Sequence, residues 1–138
     1  MPAIKRVIHA KDVKPYILQG STYESRMILD DIVAGEHTVN INHGTVKPLD
    51  MAGGGTHEKT ELYFIVSGEG QLKLDDDIHD VSSGSLAVIP GGCFHSIKNK
   101  SDKDDLILLT FWMNAEDNDT YDLRVKDWGK SFKTIDEE

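Results

Sequence analysis

The sequence predicts an all-β protein, a sandwich or barrel of short strands. Three observations predict it. Seven segments of five to nine residues are rich in β-branched and aromatic side chains, which suit a pleated, half-buried backbone. Glycine and aspartate punctuate the intervals between them, as tight turns require. Helical pattern is confined to the two ends of the chain, where it is weak.

The elements follow in chain order. Residues 11–17 admit one helical turn, which Pro15 interrupts. Residues 25–30 (SRMILD) form the first strand, and Asp30 and Asp31 turn the chain. Residues 38–46 (TVNINHGTV) form the second, with Asn40 and Asn42 on one face and Val39 and Ile41 on the other. Two placements stay open for it: the asparagines line a polar barrel interior, or the strand is an edge with that face in water. Gly44 and the triple glycine 53–55 read as turn signals.

Residues 61–67 (ELYFIVS) place Glu61, Tyr63 and Ile65 on one face and Leu62, Phe64 and Val66 on the other. Both faces are largely apolar, the pattern of a sheet covered on both sides. Segments 70–74, 85–89 and 94–99 follow, separated by turns at 75–77, 82–84 and 90–92. The charged stretch 102–105 is a solvated turn before the last strand, 106–113 (LILLTFWM). There Phe111 and Met113 share one parity and Trp112 takes the other; either supplies an apolar pocket wall. Residues 119–125 suit a short helix, and the polar tail packs Trp128 and Phe132 on the domain surface.

Composition narrows the partners. The chain has 138 residues, the size of a single domain. Lys and Arg number 15 against 24 Asp and Glu, a net charge of −9, which repels phosphate backbones and anionic lipid. No nucleic-acid or membrane partner is therefore expected. No apolar run approaches the roughly 20 residues of a membrane span. The first fifteen residues are charged throughout and lack a signal-peptide core, so a cytoplasmic location is expected. A single cysteine, Cys93, excludes an intrachain disulfide. It reads as a small packing residue in a glycine turn. The aspartates at 75–77 and 102–105 and the acidic end put the charge in turns and tail, so Lys47, Lys59 or Arg26 at a barrel mouth still suit an anionic small molecule.

Three side chains carry candidate chemistry: His57, Glu61 and His95. Two imidazoles and a carboxylate are a ligand set for a divalent transition metal with open positions. His9, His37, His43 and His79 fall in no such pattern and read as surface or core residues.

At these residues the sequence resembles the cupins, a superfamily of small β-barrels with two motifs. The second motif is a glycine, five residues, Pro-x-Gly, two residues, His, three residues and Asn; Gly84, Pro90, Gly92, His95 and Asn99 match it at every spacing. In the first motif His57, Glu61 and Gly68 match, while Gly55 stands where the first of two histidines belongs. With its flanking strands the resemblance covers residues 25–113. It implies a cupin-type double-stranded β-helix (jelly-roll) barrel with short N- and C-terminal extensions. A single cupin domain would then span 1–138, with the barrel core at 25–113. It also implies a divalent transition metal (Mn, Fe, Zn or Ni) on His57, Glu61 and His95, and a small-molecule substrate. With Gly55 in place, the remaining position falls to water, substrate, Glu58, His43 or His37.

The reading that follows is a metal-dependent isomerase or lyase acting on a polar, carbohydrate-like carbonyl compound. The metal would polarise the carbonyl, and Tyr63, Glu58 or a pocket histidine would move a proton. Asn40, Asn42, Gln71 and Phe111 are the expected substrate pocket, with Thr110 and Lys47 as weaker candidates. The same triad suits a non-haem iron dioxygenase, and a non-catalytic ligand-binding or sensor cupin is the third alternative. The apolar residues Ile4, Val7, Ile8, Tyr16, Ile17 and Leu18 need a surface to cover, which a homodimer would provide.

Overall fold

The β-branched and aromatic runs pair into strands, and the pairing adds strands that composition does not announce. The computed structural model describes residues 7–13, 15, 17, 20–29, 39–56 and 58–113. Among them are nine strands: β1 (Glu24–Leu29), β2 (Val39–Val46), β3 (Met51–Gly55), β4 (Glu61–Ser67), β5 (Glu69–Leu74), β6 (Asp77–Ser82), β7 (Leu86–Ile89), β8 (His95–Asn99) and β9 (Leu106–Met113). They form two antiparallel sheets, ordered β1-β2-β9-β4-β7 and β3-β8-β5-β6. Apart from the hairpins β1-β2 and β5-β6, sequence neighbours lie in different sheets, as the chain winds between the layers of a double-stranded β-helix.

Three expectations are corrected. The glycine segment 53–55 is not a free turn: it ends β3, because backbone pairing with β8 needs no side chain. The acidic segment from Asp77 is likewise a strand, β6, held as an edge by β5. Its turn is Asp75–Asp76, with Asp75 at φ 52. The helix at 11–17 is a single 3-10 turn, Ala10–Asp12, capped by the His9 ring, which accepts from the Lys11 N–H at 3.1 Å. The expected helix at 119–125 and the packing of Trp128 and Phe132 lie outside the described residues.

Side-chain alternation separates inside from outside. Val46, Ile65, Leu72, Ile89, Ile97, Leu106 and Leu108 fill the space between the sheets, each at most 2 % exposed. Burying each of these side chains contributes about 1.5–3 kcal/mol. Asn99 closes this end. Its amide donates to the carbonyls of Val46 (3.0 Å) and Asp104 (2.8 Å), and its oxygen accepts from the Ser101 N–H (2.9 Å). The last motif residue thus ties β2, β8 and the 100–105 turn together.

The outer face of the five-stranded sheet stays apolar. Phe64 lies opposite Leu86 and Leu62 opposite Val88. Phe64 is 38 % exposed, Val66 42 %, Leu86 61 % and Val88 56 %. At the other side of that sheet, Arg26 and Lys47 each reach Glu24 at 2.9 Å. These two cations are therefore engaged with a carboxylate on the barrel's flank. Lys47 first, and then Arg26, holds the Glu24 carboxyl below its usual range against the opposing effect of burial.

Candidate functional site

Strand register builds the site row by row. On the inward face of the five-stranded sheet, Asn40 lies opposite Trp112, and Trp112 opposite Glu61. One row deeper come Met27, Asn42, Thr110 and Tyr63. Beneath them are Leu108 and Ile65, and the apolar core. One end of the barrel interior is polar and the other is not.

His95 opens β8 in the opposite sheet and faces this polar end. Its Nε2 lies 3.4 Å from Glu61 Oε1, and the imidazole is buried. Its Nδ1 sits 3.1 Å from the Cys93 carbonyl, so Nδ1–H donates there and Nε2 is the atom aimed into the barrel. The Glu61 carboxylate raises the affinity of His95 for a proton; burial opposes this and the Cys93 carbonyl assists. The Tyr63 ring stands edge-on to His95, with centroids 6.0 Å apart and planes at 83°. Burial, the Glu61 charge and then Tyr23 push the Tyr63 phenol well above its ordinary value. The shift favours the protonated phenol, which can donate a hydrogen bond.

These donors fit a divalent metal in kind. A ligating histidine normally donates its second nitrogen to a carbonyl or carboxylate, which fixes the ring, and Cys93 supplies such a carbonyl to His95. Glu61 is the adjacent carboxylate. Among the described residues no three such side chains cluster as a metal site. His57, the third expected donor, lies outside the described residues, as does His37.

The other expected site residues divide. Asn40 and Asn42 face inward and are buried, and β2 lies between β1 and β9 rather than at an edge. Asn42, however, is committed to the scaffold: Ser25 Oγ donates to its oxygen at 2.6 Å, and its nitrogen donates to the Tyr23 hydroxyl at 3.0 Å. Asn40 donates to the Trp112 carbonyl at 3.4 Å. Thr110 is inward and buried. Gln71 and Phe111 are corrections. Gln71 alternates with inward Gly70 and Leu72, so it lies on the outside of the four-stranded sheet. Phe111 pairs with Ile41 and Leu62 on the outer face, and Trp112 takes the inward wall. His43 shares that outer face, paired with Arg26 and Leu109, which removes it as an extra ligand. Glu58 is exposed on the β3–β4 connection, with its carbonyl against Gly91.

Two contributors escaped the sequence reading, Tyr23 and Ser25. One signal existed: Gly44, which sits inside β2 and marks no turn. A Cβ there would strike the Tyr23 hydroxyl. A glycine within a strand often marks such a close approach.

Comparison with known proteins agrees with this architecture. The model of the cupin domain family matches residues 42–112, just over half of the chain, and the chain belongs to the cupin superfamily. It is similar in structure to a predicted oxalate decarboxylase from Thermotoga maritima, at 20 % identity and TM-score 0.68, covering 79 % of this chain and 99 % of that one. It is also similar to the polyketide cyclase RemF from Streptomyces resistomycificus, at 20 % identity and TM-score 0.70, covering 87 % and 94 %. A third is KdgF from Halomonas sp., at 14 % identity and TM-score 0.57, covering 68 % and 81 %. At these identities the likeness carries the fold. No curated protein matches the chain. Among the described residues no helix is long and apolar enough to cross a membrane.

Proposed function

We propose that this cupin is a metal-dependent enzyme, an isomerase or lyase acting on a small, polar, carbohydrate-like carbonyl compound. The observation that carries the reading is the approach of His95 Nε2 to Glu61 Oε1, 3.4 Å, at the polar end of an otherwise apolar barrel. His57, Glu61 and His95 would hold the ion, which is one of Mn, Fe, Zn or Ni. When bound, such an ion supplies Lewis-acid polarisation of a substrate carbonyl. Tyr63, kept protonated by its burial, donates to a substrate oxygen. Glu58, the exposed carboxylate on the connection into β4, is the base that accepts a carbon-bound proton. Trp112 lies beside Glu61 and Asn40 beyond it in the same row, and both shape the pocket wall. Two structural neighbours, a predicted oxalate decarboxylase and a polyketide cyclase, are named for small-molecule chemistry, which supports a small-molecule substrate.

The test is proton exchange. Protein loaded in turn with manganese, iron, nickel and zinc is incubated with aldose and ketose pairs in deuterated water. Exchange at the carbon next to the carbonyl, followed by NMR, is the expected result. Its absence with every metal and sugar class contradicts the reading.

The same proposal includes a cytoplasmic homodimer formed through the outer face of the five-stranded sheet. The exposed, adjacent Phe64, Val66, Leu86 and Val88 support it, since an exposed apolar patch gains by burial against a second copy.

A further inference from the structure

The three consecutive glycines of β3 are not equivalent. Gly53 and Gly54 have φ of 84° and 101°, a region that side chains other than glycine rarely enter. Backbone geometry alone accounts for them. Gly55 has no positive φ. A Cβ on it would meet no atom of the described residues within 4 Å. Neither conformation nor packing demands glycine there.

What distinguishes Gly55 is its neighbour. After the bulge between Gly53 and Gly55, it is the ladder partner of His95. Cross-strand partners project to the same face, with Cβ atoms about 5 Å apart. Any side chain at 55 would therefore stand beside the His95 ring, whose Nε2 is directed at Glu61. Gly55 is itself exposed, so the space it leaves is reachable from solvent.

We propose that Gly55 is a specificity-determining position: the room it leaves beside His95 admits a second oxygen of the substrate. The ligand class is then a compound that chelates through two adjacent oxygens, such as a 2-hydroxy acid or a hydroxycarbonyl. A ligand with one oxygen gains nothing from that room. This rests on the metal reading of His95 and Glu61 and adds the chelating class to it.

The probes are manganese ion, glycolate and acetate, measured by calorimetry on the full chain and on Gly55→Ala and Gly55→His. Parent loaded with manganese is expected to bind glycolate tighter than acetate by about tenfold or more, because the second oxygen binds intramolecularly; in Gly55→Ala, where a methyl takes part of that room, the margin should shrink. Gly55→His, which adds an imidazole beside His95, is expected to bind manganese about tenfold tighter. Its preference for glycolate should vanish.

If parent binds manganese but Gly55→His changes neither affinity nor preference, this proposal fails while the metal reading stands. If parent binds no manganese, the metal reading fails and carries this proposal with it. Melting curves guard against misfolding. Gly55→Ala should melt with the parent and Gly54→Ala, forced to φ 101°, well below it. Equal losses in both would make Gly55 structural and overturn the proposal.

Discussion

His95 and Glu61 come from different sheets and meet at 3.4 Å, Nε2 to Oε1, across the polar end of the barrel. Neither strand could hold this geometry alone. β8 aims the imidazole because Cys93 fixes its other nitrogen, and β4 aims the carboxylate because Tyr63 and Ile65 on the same parity are buried. The candidate site is thus a product of the two sheets packing, and the scaffold contacts around it are open to test.

The first concerns Asn99. It is fully buried and makes three hydrogen bonds to backbone groups of two segments, β2 and the 100–105 turn. Asn99→Ala leaves those partners unsatisfied, at an expected cost of about 2–4 kcal/mol. Urea unfolding checks it. A loss below about 0.5 kcal/mol would contradict the structural role.

Gly44 and Tyr23 should behave as a coupled pair. Gly44→Ala drives a methyl group into the Tyr23 hydroxyl, at an expected cost of about 1–3 kcal/mol from overpacking. In a Tyr23→Ala background the same change should cost much less. A double-mutant cycle measures the difference, and additive losses would show that the two side chains do not meet.

The flank carries a pH dependence of definite sign. Glu24 titrates below its ordinary value because Lys47, then Arg26, hydrogen-bonds its carboxylate. Its contribution is present above the unfolded-state value and is lost as pH falls through the lower folded value. Lys47 is the mirror case, raised chiefly by Glu24, with its contribution lost as pH rises through the raised value. Glu24→Gln should flatten the acid limb of melting temperature against pH. Salt near 1 M should reduce the difference from parent, since screening then acts within about 3 Å. An acid limb unchanged by Glu24→Gln would refute the assignment.

Assembly is tested on the outer face. Phe64→Asp or Leu86→Lys places a charge in the exposed apolar patch and should convert a dimer to a monomer in light scattering, with melting little changed. A parent that is monomeric at micromolar concentration would remove the homodimer.

The sequence made the barrel legible because its signals are local. Strands 61–67 and 106–113 appear with the expected bounds, since β-branched and aromatic runs declare themselves. β3 and β6 were hidden because MAGGG and DIHDVS have little strand propensity; pairing with β8 and β5 makes them strands. Asn40 and Asn42 could be paired to one face from spacing, but not assigned to the interior until β2 was found between two neighbours. Gln71 and Phe111 were misplaced for the same reason, since parity shows which residues share a face and not which face is inside. Only Gly44 points to Tyr23, because the contact of Tyr23 with Asn42 joins residues 19 positions apart.

The account turns on whether His57, Glu61 and His95 hold a metal ion. Elemental analysis of the purified parent, beside His57→Ala and His95→Ala, tests this most directly. About one divalent transition metal per chain in the parent, and its loss in both variants, is the predicted result. A metal-free parent whose melting temperature no added divalent ion raises, or variants that keep the metal, would contradict it.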